Sequence, residues 1–212
     1  MPELAIDHII LGVHDLDVAA RLVRDAYGLD SLAGGKHPGL GTANRIVPLG
    51  SSYLELLTVV DEAEARRTHR GQELIEAIMA GDRLLDWAIR VDDIDELSRR
   101  TGLVPEPGSR ITPDGKQLGW RTLRPRETGL PFFIQWAKGT AHPGESSARH
   151  HSRPDGVAWV EVGGDPDRLR TWLGDGEELP VRFVEGPAGL LAAGIATADG
   201  EIVLRSVPDL VP

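Results

Sequence analysis

The chain has 212 residues, 41% of them apolar and 26% charged, enough to bury a core in one large domain or two small ones. Its formal charge of -10, with arginines dispersed among acidic residues, excludes the basic stripe that nucleic acid needs and argues against an anionic membrane surface. The absence of cysteine removes disulfides, thiolate metal sites and a thiol nucleophile, so any metal must be held by nitrogen and oxygen.

In chain order, residues 1–5 lack the basic start and apolar core of a secretory signal. No apolar run reaches the length of a membrane span, and a cytoplasmic protein is expected. Residues 4–13 alternate as a strand does, with Ile9, Leu11 and Val13 on one face and Ile6, His8 and Ile10 on the other. Asp15 then caps a helix whose apolar positions Leu16, Ala19, Ala20, Val23 and Ala26 run to a stop at Tyr27-Gly28. A short strand near 29–33, a Gly/Pro-rich loop over 34–41, and strands over 43–48 and 53–60 complete one β-α-β-β-β unit.

A connecting helix over 70–80 leads to a second unit: strand 84–91, helix 93–102, a short strand from 104, and strands 116–123 and 131–137. Residues 139–155, with His150-His151, have the composition of a solvated linker. A third unit follows, with strand 157–162, helix 166–173, and strands 181–185, 190–197 and 202–206. The junctions repeat as well. Val13-His14-Asp15, Val91-Asp92-Asp93 and Val162-Gly163-Gly164-Asp165 each end a strand and supply an acidic helix cap. The predicted fold is therefore α+β. Paired β-α-β-β-β modules over 4–60 and 82–138 form a curved mixed sheet around a pocket in a domain over 1–138, with a third module over 156–212. An odd number of modules suggests a homodimer.

The faces that must pack on helices should be apolar: Ile9, Leu11, Val13, Leu54 and Leu56 in the first unit, and Trp87, Ile89, Val91, Phe132, Ile134 and Trp136 in the second. Period-two alternation then sends His8, Glu55, Asp86 and Gln135 to the concave side. Tyr53, Trp120 and Phe133 either line a flat apolar ligand site or pack in the core. Asn44 and Arg45 either bind a carbonyl or carboxylate or fix the turn after the glycine-rich stretch, and Arg90 either binds an anion or neutralises Asp86. His37 and His142 occur in two His-Pro-Gly segments that could close over the pocket. No Ser-His-Asp arrangement, P-loop or dinucleotide fingerprint is present, so no nucleotide cofactor is expected.

The unit order, the caps and this polar quartet resemble the vicinal oxygen chelate superfamily, which includes glyoxalase I, extradiol dioxygenases and bleomycin-resistance proteins. The likeness spans residues 4–138. The segments His37-Pro38-Gly39, Gly41-Thr42-Ala43-Asn44-Arg45, Tyr53-Leu54-Glu55-Leu56-Leu57 and Pro131-Phe132-Phe133-Ile134-Gln135-Trp136 resemble its glyoxalase-like branch. The resemblance implies one divalent ion, Mn²⁺, Fe²⁺, Zn²⁺ or Mg²⁺, held by His8, Glu55, Asp86 and Gln135. Asp86 stands where histidine is commonest in that superfamily, and Gln135 where glutamate is. Two carboxylates would balance the ion, and its open positions would take vicinal oxygens of a substrate. Glu55 or Asp86 would also serve as a base. Two functions follow: a metal-dependent lyase, isomerase or dioxygenase acting on a small oxygenated substrate, or a metal-free protein that sequesters a flat hydrophobic compound. In the second, His8 and Glu55 hydrogen-bond each other.

Overall fold

A computed structural model describes residues 4–127, 129–174 and 179–205. Its first module contains β1 (Ala5–Gly12), α1 (Leu16–Tyr27), β2 (Leu32–His37), β3 (Thr42–Pro48) and β4 (Tyr53–Val59). Helices α2 (Glu62–Ala65) and α3 (His69–Met79) connect it to β5 (Arg83–Arg90), α4 (Ile94–Thr101), β6 (Glu106–Ile111), β7 (Gln117–Leu123) and β8 (Phe132–Trp136). The eight strands close into a barrel in the order β1-β4-β3-β2-β6-β7-β8-β5. Within each module the first and last strands run parallel, β1 with β4 and β5 with β8. The modules join along the antiparallel pair β1–β5 and, on the far side, through the single register pair Lys36↔Ile111 between β2 and β6.

Helix starts follow the sequence closely. Asp15 accepts bonds from the amides of Asp17 and Val18, and Asp93 from those of Asp95 and Glu96. Asp165 accepts from those of Asp167 and Arg168 in the same way. Each cap satisfies amides that have no partner inside the helix.

The stretch expected to be a glycine-rich loop is instead mostly strand β2, with only the tight turn over 38–41 left as loop. A side chain at Gly34 would occupy the place of the Asn44 amide. At Gly35, where φ is 147°, it would strike the Ile111 carbonyl. The glycines thus let β2 pass close to β3 and β6, and strand pairing overrides their weak strand preference.

A β-bulge falls in β1, where register shifts between Ile6 and His8. It turns Ile6 outward into the main core and sends both Asp7 and His8 inward. Simple alternation had placed Ile6 beside His8.

The last unit comprises β9 (Pro154–Gly163), α5 (Pro166–Leu173), β10 (Val181–Phe183), β11 (Gly189–Thr197) and β12 (Gly200–Arg205). It repeats the element order without repeating the wiring. Its sheet runs β10-β9-β11-β12, so its first strand lies between β10 and β11 rather than beside its last. One face packs on the outside of the barrel, where Val160, Val162, Ala193, Ile195 and Leu204 share a core with Ile9, Leu11, Trp87 and Ile89. From α5, Trp172 lies against Phe133, ring centroids 5.2 Å apart, and donates its indole N–H to the Pro131 carbonyl.

Residues 139–155 do more than link. The amide of Gly50 donates to the Gly144 carbonyl, and His151 N–H donates to the Gly28 carbonyl. His150 Nδ1 accepts the amide of Asp30.

Candidate functional site

The inward faces of the strands build the site. Asp7 is fully buried, yet its carboxylate receives three N–H donors: His8 Nδ1 at 2.6 Å, His142 Nε2 at 3.0 Å and Trp136 Nε1 at 3.0 Å. Burial alone would raise the Asp7 carboxyl pKa. The bonds from His142 and His8 outweigh it and hold the group ionised well below the usual carboxylate range. His142 accepts the Gly144 amide at Nδ1, which leaves its proton on Nε2 for Asp7. With its own Nδ1 proton committed to Asp7, a neutral His8 presents an Nε2 lone pair to the interior.

That lone pair lies 3.7 Å from Glu55 Oε2. The His8 ring stacks on Tyr53 with centroids 4.5 Å apart and meets Phe132 edge-on at 5.5 Å. Burial pushes the Tyr53 hydroxyl well up, so it stays neutral. Glu55 Oε1 accepts the Asn44 side-chain amide at 2.5 Å, and Asn44 Oδ1 accepts from Arg110 Nη1 at 3.4 Å. His37, at the end of β2, bonds Thr42 Oγ1 through Nδ1 at 2.9 Å and takes the Asn44 amide at Nε2. Burial lowers the His37 pKa and keeps the ring neutral.

Across the interior, Asp86 accepts from Arg124 Nη1 at 3.0 Å, and the Arg124 guanidinium lies 3.5 Å above the Phe132 ring. Burial drives the Asp86 carboxyl up, against the pull of Arg124, and drives Arg124 down to about 10. Trp120 and Trp136 meet with centroids 5.3 Å apart, beside a small apolar cluster of Ile10, Ala88, Phe132 and Ile134. Gly108 makes room for the Trp120 indole, which a side chain there would strike.

Of the four residues predicted to converge, His8 and Glu55 do so. Asp86 shares the inner face but is engaged by Arg124. Gln135 is on the outer face, where its amide donates to the Asp92 carbonyl and its Oε1 accepts from Arg121 at 2.6 Å. The register shows why. Trp136 pairs with Trp120 and Ile134 with Thr122, pointing inward, while Gln135 pairs with Arg121. The apolar row Phe132, Ile134 and Trp136, expected to pack on a helix, faces the interior instead.

Phe133 correspondingly lies in the outer core, and Phe132 lies inside. Asn44, Tyr53 and Trp120 face inward. Arg45 points outward to Asp17 and Ser31, and Arg90 donates to the Ser51 carbonyl at the β3–β4 turn. His37 is buried at the end of β2, whereas His142 reaches in from the segment between β8 and β9, onto Asp7, Tyr53 and Trp136. Asp7, Arg110 and Arg124 were not singled out from the sequence. Asp7 depends on a bulge that alternation cannot reveal. Arg110 lies on β6 and Arg124 just past the end of β7, stretches to which sequence alone assigns no inner face.

The donor set does not fit a four-ligand divalent site. Gln135 is on the other side of the wall, Asp86 already has a cation, and among the described residues no three His, Asp or Glu side chains group as metal ligands.

The family model for the glyoxalase-like domain matches residues 6–176. Among solved structures, a hypothetical protein from Staphylococcus aureus is similar at 18% identity and a TM-score of 0.66, over 96% of this chain and 85% of its own. Methylmalonyl-CoA epimerase from Mycobacterium tuberculosis is similar at 20% identity and a TM-score of 0.44, over 62% of this chain and 85% of its own. The Streptomyces coelicolor epimerase, in complex with 2-nitronate-propionyl-CoA, is similar at 21% identity and a TM-score of 0.47, over 65% of this chain and 96% of its own. No curated protein matches.

Proposed function

The chain belongs to the glyoxalase-like domain family, within the vicinal oxygen chelate superfamily, and on that premise we propose that its barrel binds a small carbonyl compound and moves a proton on it, as an isomerase or lyase working without a resident metal. The observation that carries this reading is the line Asp7–His8–Glu55, with His8 Nδ1 2.6 Å from Asp7 and Nε2 3.7 Å from Glu55. A buried carboxylate that fixes the tautomer of an imidazole makes its other nitrogen a general base. His8 Nε2 takes the proton from the carbon beside the carbonyl. The resulting imidazolium lies between the carboxylates of Asp7 and Glu55, which stabilise its charge until the proton returns. The enolate oxygen is met by the Arg124 guanidinium, held in place by Asp86 and Phe132.

The test is exchange of enolisable protons with D₂O, followed by NMR over a panel of small ketones, hydroxyaldehydes and 2-oxo acids. Catalysed exchange with at least one of them is expected, falling about 100-fold or more in His8→Gln and Glu55→Gln. Exchange that survives both substitutions unchanged would sink the reading.

The paired indoles Trp120 and Trp136 favour a second one, sequestration of a flat hydrophobic compound. In that case such compounds quench the indole fluorescence of the wild type, and no substrate of the panel exchanges.

A further inference from the structure

Arg110 is only 5% exposed, and it is bound far less fully than its burial calls for. Its guanidinium donates one bond, from Nη1 to Asn44 Oδ1 at 3.4 Å, and its Nε has no partner. Among the described residues no carboxylate lies within 4.0 Å of it, whereas the interior Arg124 is met by Asp86. A buried charge without a counter-ion is costly in a folded chain, and an anion from outside would complete it.

The geometry selects the kind of anion. With Nη1 taken by Asn44, the Nε–Nη2 edge of the guanidinium is the free one, and that edge grips a planar carboxylate through two parallel N–H···O bonds. The neighbours set the charge it can carry. Asn44 ties Arg110 to the Glu55 carboxylate and His37 is held neutral, so a monoanion is favoured over a dianion such as phosphate. Gly34 lacks the side chain that would displace Asn44, the partner of Arg110.

We propose that Arg110 is the anchor for the carboxylate of a small 2-oxo acid, held so that the carbon beside its ketone faces His8 and Glu55. The carboxylate site stands on Arg110 alone; the 2-oxo assignment rests on the proton-transfer reading above.

Pyruvate, 2-oxobutyrate, acetate and inorganic phosphate serve as probes, with binding measured by calorimetry on the full chain and exchange of the C3 protons of the oxo acids in D₂O measured by NMR. The wild type should bind the three carboxylates and not phosphate. Arg110→Lys, which keeps the charge but loses the two-pronged edge, should weaken carboxylate binding at least tenfold, and Arg110→Met should abolish it. If Arg110→Met does not fold, the lysine variant carries the test.

Glu55→Gln separates the two ideas, since losing a negative charge near Arg110 should leave pyruvate bound at least as tightly as in the wild type while exchange is lost. Carboxylate affinity unchanged in Arg110→Lys, no carboxylate binding by the wild type, or phosphate binding as tight as pyruvate would each overturn the anchor. Carboxylate binding that needs Arg110 but brings no exchange in the wild type would leave the anchor standing and overturn the 2-oxo assignment together with the proton-transfer reading.

Discussion

Asp7 holds three donors and is fully buried, so replacing it strands His8 Nδ1, His142 Nε2 and Trp136 Nε1 together. Asp7→Ala should therefore lower the unfolding free energy by about 3 kcal/mol, measured by urea denaturation. The pH dependence has a defined sign. The folded state keeps this carboxyl below its unfolded value, so its contribution is full above about pH 4 and is lost as the pH falls further. Asp7→Asn should show a shallower loss of stability below pH 4 than the wild type; parallel acid profiles would refute the assignment. Arg124 makes an independent claim on Asp86. Chelator-stripped wild type should show no rise in melting temperature with Mn²⁺ or Zn²⁺, whereas Arg124→Met frees Asp86 to join His8 and Glu55. A bound ion at a hundredfold excess over Kd would raise the variant's melting temperature by about 5–10 °C. A rise of equal size in both proteins would show that Arg124 does not set the metal preference.

At the scale of elements, what is local was legible and what depends on a partner strand was not. Asp15, Asp93 and Asp165 announce their helices because a cap is made within four residues of itself. The order of strands and helices in all three units was also visible, because each switch of hydrophobic period coincides with a turn signal. Faces were a harder matter. Alternation fixes which residues share a side but not which side is inside, and β8 is apolar on both, with Phe132 and Ile134 inward and Phe133 outward. Gln135 falls to that ambiguity, whereas His8 and Glu55 stand opposite the apolar rows Ile9-Leu11 and Leu54-Leu56, which pack in the outer core. The bulge at Asp7 and the strand through Gly34-Gly35 exist only because a neighbouring strand lies alongside, and no window of sequence contains that neighbour.

For the molecule as a whole, the outer sheet is part of the core and not an accessory to it. Val160, Val162 and Ile195 lie against Ile9, Trp87 and Ile89, and Trp172 covers Phe133. A chain ending at residue 138 would also lose His142 from Asp7. Such a fragment should be insoluble or should unfold well below the temperature of the full chain, as seen by circular dichroism. A fragment as stable as the whole would mean that the barrel needs no cover. The barrel wall itself is unevenly fastened. Its modules are sewn along the length of β1–β5, from Ala5↔Arg90 to Gly12↔Arg83, but on the opposite side, among the described residues, β2 and β6 pair at Lys36↔Ile111 alone. In mechanical terms the two half-shells form a locket, with its hinge on one side and a single clasp on the other. His37 follows Lys36 and Arg110 precedes Ile111, so these two buried side chains flank the clasp itself.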